Sequence, residues 1–230
     1  MTVFVLKIIA MISMVLDHIK YAIPSTNCFA TIILGRIAFP IFAFLISEGF
    51  VHTHSRPKYM LRMLIFAIVS QIPFYLFAHN IVYSKANFNV MFTFEIALIG
   101  LYMIKFLKKY DVFPKILDYS VMIVGLAFIV LFTYFLHPDY SWYGVLTVWI
   151  FYLFKKSKIL TTFSYVLLNY IYYFSLGYGQ EYKMLFATIV PLILILFYNG
   201  KQGKKLKYFF YVFYPLHFII LYAINYFFVR

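Results

Sequence analysis

The sequence predicts an all-α, polytopic transmembrane helix bundle of about nine helices. Of its 230 residues, 65% are hydrophobic and only 12% are charged, and the mean hydropathy is +0.89. A soluble domain of this size cannot bury so much apolar surface in one core. Spans of roughly 20 residues use up the chain, so we expect a single domain over residues 1–230.

Nine apolar runs, each interpreted as a helix, are separated by short polar segments. The runs are Val3–Ile23, Phe29–Phe50, Met60–Ala78, Asn89–Leu107, Tyr119–Leu136, Ser141–Phe154, Ile159–Phe174, Met184–Tyr198 and Tyr208–Val229. The sixth and eighth runs are short, so we expect them to be buried among other helices or to cross a thinned bilayer. The first run contains Lys7, Asp17 and His18 and has no small-residue cleavage site, so it is interpreted as a retained helix. Pro40 and Pro73 are expected to kink the second and third helices and to open a cavity.

Basic residues predict the orientation. Fourteen of the 20 cations follow the even-numbered runs: Arg56, Lys58, Arg62, Lys105, Lys108, Lys109, Lys115, Lys155, Lys156, Lys158, Lys201, Lys204, Lys205 and Lys207. The opposite side has Lys20, Lys85, Lys183 and Arg230. Positive loops face the cytoplasm, which predicts an inside N-terminus, an outside C-terminus and a multi-pass protein of the bacterial plasma (inner) membrane. We interpret the basic surplus as contact with membrane lipids and expect no nucleic-acid partner.

Ionisable side chains within apolar runs are candidate functional groups. Asp17, Arg36 and Glu95 are predicted to lie roughly 9–10 Å below the outer ends of their helices. If these helices are neighbours, a polar pocket opens outward, with His18 as general base, Asp17 or Glu95 orienting it and Arg36 stabilising an oxyanion. A structural ion pair between Asp17 and Arg36 remains the alternative.

Further polar residues suggest binding roles at the two ends. Asn87 and Asn89 at the mouth of the fourth run, with Asp139 and Tyr143 in the next outer loop, are candidate substrate contacts. Glu48, His52, Lys58 and Arg62 are candidates for holding the phosphates of a donor such as acetyl-CoA, since Arg and Lys suit phosphate geometry; an ordinary positive-inside loop is the alternative. His52 and His54 lack a third ligand nearby, so no metal is expected.

His217 is the remaining deep ionisable group, in the middle of the ninth run. One hypothesis gives it a role in acyl passage, on the donor side. The alternative is a structural histidine bonded to a backbone carbonyl that Pro215 leaves free.

Several of these segments resemble the TraX family. The resemblance runs over nearly the whole chain and is carried by Leu6–Met11, Met14, Leu16–Ile19, Gly35–Phe50, His52, Thr53, Lys58, Tyr59, Arg62, Gln71, Pro73, Asn87, Asn89, Asp139, Tyr140, Tyr143, Gly144 and Tyr214–His217. The family is named for a membrane protein that N-acetylates pilin, and it is similar to acyltransferases that use cytoplasmic acetyl-CoA and a membrane-embedded histidine. The resemblance implies this chemistry, but the pilin substrate does not carry over with it. Asp17, His18 and Arg36 then form the reacting centre, with Glu48, His52 and Arg62 nearer the donor entrance.

Three functions therefore stand as expectations. The first is an acetyltransferase that acts on an amine or hydroxyl of a pilin-like peptide or surface polymer at the outer face. The second is a small proton-coupled transporter or flippase, against which the absence of an internal repeat and the odd helix count both weigh. The third is a non-catalytic assembly factor for surface fibres, in which the charges only hold helices together.

Overall fold

The computed structural model describes residues 1–82, 87–110, 115–176, 181–205 and 207–229. In these ranges the chain is almost entirely helical, and the one β contact is an isolated bridge between Phe88 and Pro138. The described α-helices are α1 (Val3–Ala22), α2 (Phe29–Gly35), α3 (Ala38–His52), α4 (Arg56–Val69), α5 (Gln71–Phe77), α6 (Val90–Tyr110), α7 (Lys115–Leu136), α8 (Ser141–Leu153), α9 (Lys158–Leu176), α10 (Glu181–Leu196) and α11 (Lys207–Phe228). A 3-10 turn, Pro24–Thr26, follows α1, and a π-helical turn, Ala78–Val82, follows α5. Lys85 and Arg230, used above to predict orientation, lie outside the described residues.

The second and third predicted helices are each broken in two, so the described ranges contain eleven α-helices instead of nine. The second run corresponds to α2 and α3, and the third to α4 and α5. Pro40 and Pro73 are the third residues of α3 and α5, a first-turn position where the missing proline N–H costs no helical hydrogen bond. The predicted kink in the third run is confirmed, since the segments Arg56–Val69 and Gln71–Val82 meet at a bend of 42°. The second run is interrupted between Gly35 and Ala38 but still counts as one continuous span, Phe29–His52.

Four helical segments are long and apolar enough to cross a membrane: Phe29–His52, Val90–Leu107, Tyr119–Leu136 and Tyr208–Phe228. The bent pair α4 and α5 adds a fifth if it counts as one span. The outer face of α7 shows why lipid is needed, because Ile123, Val124, Phe128 and Phe135 are each more than 60% exposed. A surface of this kind is stable only against hydrocarbon.

The interior is built around α1, α3, α6 and α8. Helix α1 packs against α2, α3 and α11, while α8 packs against α3, α6, α7 and α9. The short α8 buries Tyr143, Val145, Val148 and Phe151, as expected for the short sixth run. The aromatic and aliphatic side chains of this core leave a large cavity beside α1, whose lining includes several charged side chains.

Candidate functional site

A cavity of about 750 Å³ runs alongside α1 and is lined mainly by α1, α3, α4, α5, α6 and α11. One part, called here the His18 end, is lined by Asp17, His18, Arg36 and Asp139. The other, called the Lys7 end, is lined by Lys7, Glu48, His52 and Arg62. His18 follows Lys7 by 11 residues on the same helix, which corresponds to about 16 Å along its axis.

A very close approach of α1 and α2 builds the His18 end. A Cβ atom added at Gly35 would lie 2.4 Å from Asp17 Oδ1 and 2.7 Å from Asp17 Cβ, so glycine is needed there. The Ser13 hydroxyl donates hydrogen bonds to the carbonyls of Leu34 and Gly35. These carbonyls lie at the end of α2, where the helical hydrogen-bond pattern stops; the Leu34 carbonyl also accepts from Ile37 N at 3.3 Å.

Arg36 follows Gly35 at the break between α2 and α3. It lines the cavity, and its Nε is buried without a hydrogen-bond partner among the described residues. Asp17 forms its salt bridge with Lys20, at 2.6 Å, and no described ion pair joins it to Arg36. The alternative of a structural Asp17–Arg36 ion pair is thus not seen within 4 Å, although the two side chains lie within electrostatic range of each other. The Nε of Arg36 remains a donor without a partner among the described residues.

His18 and His217 form a hydrogen-bonded pair across α1 and α11. His18 Nδ1 lies 3.0 Å from His217 Nε2, and His217 Nδ1 lies 3.3 Å from the carbonyl oxygen of Phe213. A carbonyl only accepts, so His217 Nδ1–H is the donor and its Nε2 accepts from His18 Nδ1–H. This tautomer leaves His18 Nε2 with a lone pair, and no described group donates to it. His18 is thus oriented by His217, not by Asp17 or Glu95.

The contacts of His217 can be compared with the two hypotheses for this residue, a structural role and a role on the donor side. The carbonyl bond agrees with the structural hypothesis, although the acceptor is Phe213 O and not the Tyr211 carbonyl that Pro215 leaves without its i+4 donor. His217 is 4% exposed and is not a lining residue of the cavity. It lies at the His18 end and not at the donor end, where it was expected.

The loop between α7 and α8, which has an unusual backbone conformation, lines the His18 end. His137, Tyr140 and Ser141 have φ values of 50°, 62° and 38°, which cost energy for residues other than glycine. The loop is held by hydrogen bonds from Asp139 N to the Phe88 carbonyl and from Thr93 to the Asp139 carbonyl. Tyr140 stacks on Phe39 with a centroid separation of 3.8 Å.

This loop places Asp139 in the lining of the cavity, which Asp17 also lines. Burial, reinforced by the Asp17 carboxylate, raises the pKa of Asp139 to about 7. The carboxyl can therefore gain or lose a proton near neutral pH. Of the outer-loop residues predicted to contact substrate, Asp139 is the one that lines the cavity.

Glu95 does not join the His18 end. It is 8% exposed, does not line the cavity, and its Oε2 has no partner among the described residues. It lies instead within electrostatic range of Tyr59 and Tyr211, as Arg62 does. Asn89, just before α6, donates to the Ala67 carbonyl near the end of α4, and α6 packs against α4. Glu95, six residues further along, therefore lies beside the first half of α4 and not beside His18.

Asn87, Asn89 and Tyr143 make structural contacts instead of lining the cavity. Asn87 lies in the segment that pairs with His137 and donates to the Leu136 carbonyl. Asn89 is fully buried, accepts from Met91 N at the start of α6, and donates to the Ala67 carbonyl at 2.8 Å. The Tyr143 hydroxyl donates to Asn169 Oδ1 at 2.8 Å inside the core.

The Lys7 end contains three of the predicted donor residues. Glu48 Oε2 lies 3.3 Å from His52 Nε2, so the expected contact one helical turn apart is present. Arg62 lines the cavity, whereas Lys58 is exposed outside it. Within the described ranges, no three His, Cys, Asp or Glu side chains are grouped closely enough to hold a metal.

Sequence reasoning missed two residues at this site. The Lys20 partner of Asp17 has a local signal, since residues three apart share a helix face. Lys7 was noted only as a charge in the first run, yet it lines the cavity. Tyr140 was expected only as part of the short outer loop; its contact with Phe39 depends on the strained loop and on another helix.

These features define a helical membrane protein with a cavity that contains an oriented histidine and an arginine whose Nε has no partner among the described residues. The family model described as TraX protein matches residues 3–225, and the chain belongs to the TraX family. A relative from Dichelobacter nodosus, described as probable fimbrial assembly protein FimC, serogroup H1, is 30% identical over 240 residues, which cover 95% of this chain and 93% of that protein. No solved structure matches the chain.

Proposed function

We propose that this protein is a membrane-embedded acyltransferase that moves an acetyl group from cytoplasmic acetyl-CoA to an amine or hydroxyl acceptor at the outer face. The observation that carries the proposal is the free Nε2 of His18, held in one tautomer by His217 on a cavity that also contains Arg36. The proposal includes nine spans in the bacterial inner membrane, with the Lys7 end toward the cytoplasm, since basic loops mark that side.

The proposed reaction uses two side chains of the His18 end. His18 Nε2 takes the proton from the acceptor amine or hydroxyl as that atom attacks the thioester carbonyl. Arg36 donates to the developing oxyanion. The C–S bond then breaks, and His18 returns the proton to the departing CoA sulfur, so atoms and charge balance. Asp139, which also lines the His18 end, is proposed to contact the acceptor.

The acceptor is proposed to be a pilin-like peptide or a surface polymer. The name of the Dichelobacter relative supports a role connected with fimbriae. It equally supports a second candidate, a non-catalytic factor for fimbrial assembly, in which the His18–His217 pair only joins α1 to α11.

A substitution at His18 separates the two candidates. Purified protein in detergent is incubated with radiolabelled acetyl-CoA and an extract of cells lacking the protein. We expect His18→Gln to reduce labelling of the acceptor by about 10²- to 10⁴-fold, the usual contribution of a general base. Gln keeps a polar side chain there, so the variant is expected to fold; its elution and unfolding temperature serve as controls.

Two results would count against catalysis. If His18→Gln labels the acceptor at the wild-type rate, His18 is not the base. If no acceptor is labelled by wild-type protein, while His18→Gln protein still restores fimbriae to cells that lack the gene, the assembly factor is the better description.

A further inference from the structure

We propose that Lys7 and Arg62 form a subsite for the diphosphate of the acyl-CoA donor; this inference rests on the proposed function. Lys7 is a half-buried lysine on α1 whose Nζ lies over the Phe210 ring, 4.5 Å from its centroid. Among the described residues, no carboxylate lies within 4 Å of it. A partly desolvated cation that faces a cavity without a counterion favours an anion there.

Arg62 supplies the second cation at the same end of the cavity. Its guanidinium lies 5.9 Å from the Tyr59 ring centroid and beside Tyr211, and its Nε is buried without a partner among the described residues. Phe210 and Tyr211 are consecutive residues of α11, so the rings that support Lys7 and Arg62 are fixed relative to each other. An arginine fork with a lysine point charge suits phosphate oxygens.

Neither of the two nearby acidic side chains, Glu48 and Glu95, forms an ion pair with Lys7 or Arg62 among the described residues. The Glu48 carboxylate lines the same end, and it is paired with His52 at 3.3 Å. Glu95 lies near Tyr59 and Tyr211, behind the cavity wall, and no described ion pair joins it to Arg62. The positive charge of Lys7 and Arg62 is therefore not cancelled by a salt bridge within the described structure.

The wall beside Lys7 is fixed by backbone contacts between the N-terminus and the segment before α11. Val3 N donates to the Lys201 carbonyl at 2.9 Å, and Phe4 N donates to the Gln202 carbonyl at 3.1 Å. The Met1 ammonium donates to the Phe197 carbonyl. Gln202 itself lines the cavity, so these bonds fix the position of this part of the cavity lining next to the first turn of α1.

The distance to His18 identifies the donor class. Lys7 and His18 are about 16 Å apart along α1. The arm that joins the CoA diphosphate to its sulfur contains about as many backbone bonds as four amino-acid residues, so it spans about 14 Å when extended. A diphosphate held by Lys7 and Arg62 therefore brings the thioester within reach of His18 Nε2.

Binding measurements on the full-length protein in detergent test this subsite. Titration calorimetry with CoA, and with pantetheine, which has the same arm without phosphates, separates the phosphate contribution from the rest. We expect Lys7→Met to weaken CoA binding about ten- to hundredfold, the usual effect of losing a charge-assisted hydrogen bond, and to leave pantetheine binding unchanged. Lys7→Arg keeps the charge and is expected to retain most of the CoA affinity.

The matched control is Lys204→Met, which removes an exposed cation from the segment before α11 and is expected to leave CoA binding unchanged. Equal CoA affinity of Lys7→Met and wild-type protein would overturn the proposal, as would equal weakening of pantetheine. A short-chain phosphatidylglycerol that binds through Lys7 while CoA does not bind would overturn it in favour of a lipid headgroup.

Acetyl transfer measured on the same samples reports on the proposed function separately. If CoA binding depends on Lys7 as expected and no acetyl group is transferred, the subsite stands and the acyltransferase does not. If transfer occurs and Lys7→Met changes neither CoA affinity nor the KM for acetyl-CoA, the acyltransferase stands and the subsite is wrong.

Discussion

Replacing Gly35 by alanine should disturb the His18 end through one identifiable contact. The new Cβ would lie 2.7 Å from Asp17 Cβ and 2.9 Å from Asp17 Cα, whereas carbon atoms normally pack about 3.5–4.0 Å apart. Helices α1 and α2 must therefore separate by about 1 Å. Rotation of the Asp17 side chain can move its Oδ1 away, but it does not relieve the overlap with Cβ and Cα of Asp17.

The expected loss of stability follows from two opposing effects. Overpacking of this kind costs about 1–3 kcal/mol, and alanine in place of glycine in a helix returns about 0.5–1 kcal/mol. The net loss in the free energy of unfolding is about 1–2 kcal/mol. For a chain of this length, it lowers the unfolding temperature by about 2–8 °C. Thermal unfolding in detergent at a fixed heating rate measures it, because membrane proteins often unfold irreversibly.

Gly125→Ala is the matched control for this measurement. The nearest atom to a Cβ at Gly125 is Met103 Sδ at 2.8 Å, the far end of a flexible side chain. Methionine rotates away easily, so this variant should unfold at the wild-type temperature or slightly above. An unchanged unfolding temperature for Gly35→Ala, or an equal fall in both variants, would refute the close-approach reasoning.

Two further predictions concern residues that the sequence placed in binding roles. His217→Phe keeps the ring packing against Phe213 and Phe218 but removes the acceptor for His18 Nδ1–H. Acetyl transfer should therefore fall about tenfold, with an unchanged KM for acetyl-CoA. Full activity of this variant would show that His217 is not a positioning residue. Asn89→Ala removes the cap of α6 and the bond to the Ala67 carbonyl. The free energy of unfolding should therefore fall by about 1–2 kcal/mol, while the KM for the acceptor stays constant. A raised KM with unchanged stability would show instead that Asn89 binds substrate.

The sequence predicted the helices better than their assembly. Hydropathy marks each apolar run, and first-turn prolines locate the breaks before Pro40 and Pro73, because both signals are local. Glu95 shows what sequence patterns do not predict: its neighbours depend on the packing of α6 against α4, for which the sequence has no local signal. The same limit applies to His217, whose contact with His18 joins residues 199 positions apart.

Polar residue type alone did not separate binding from structural roles. Asn89 and Tyr143 are buried and bonded to the Ala67 carbonyl and to Asn169, and the same residue types would have served equally in a substrate site. Asp139 differs from them because the strained loop turns its carboxyl into the cavity. That difference arises from backbone conformation, which hydropathy and spacing do not encode.

The backbone around the His18 end favours fixed chemistry over transport. Peptide groups freed by a helix break inside a membrane must be satisfied within the protein, and here the Ser13 hydroxyl satisfies the carbonyls at the end of α2. The loop that closes the cavity is likewise held to Phe88 and Thr93. A transporter must alternately open its site to each side, and a cycle that moved α1 against α2 or displaced this loop would have to break these bonds. An acyltransferase needs the opposite, a histidine and an arginine held in one geometry while a flexible donor arm and an acceptor come to them.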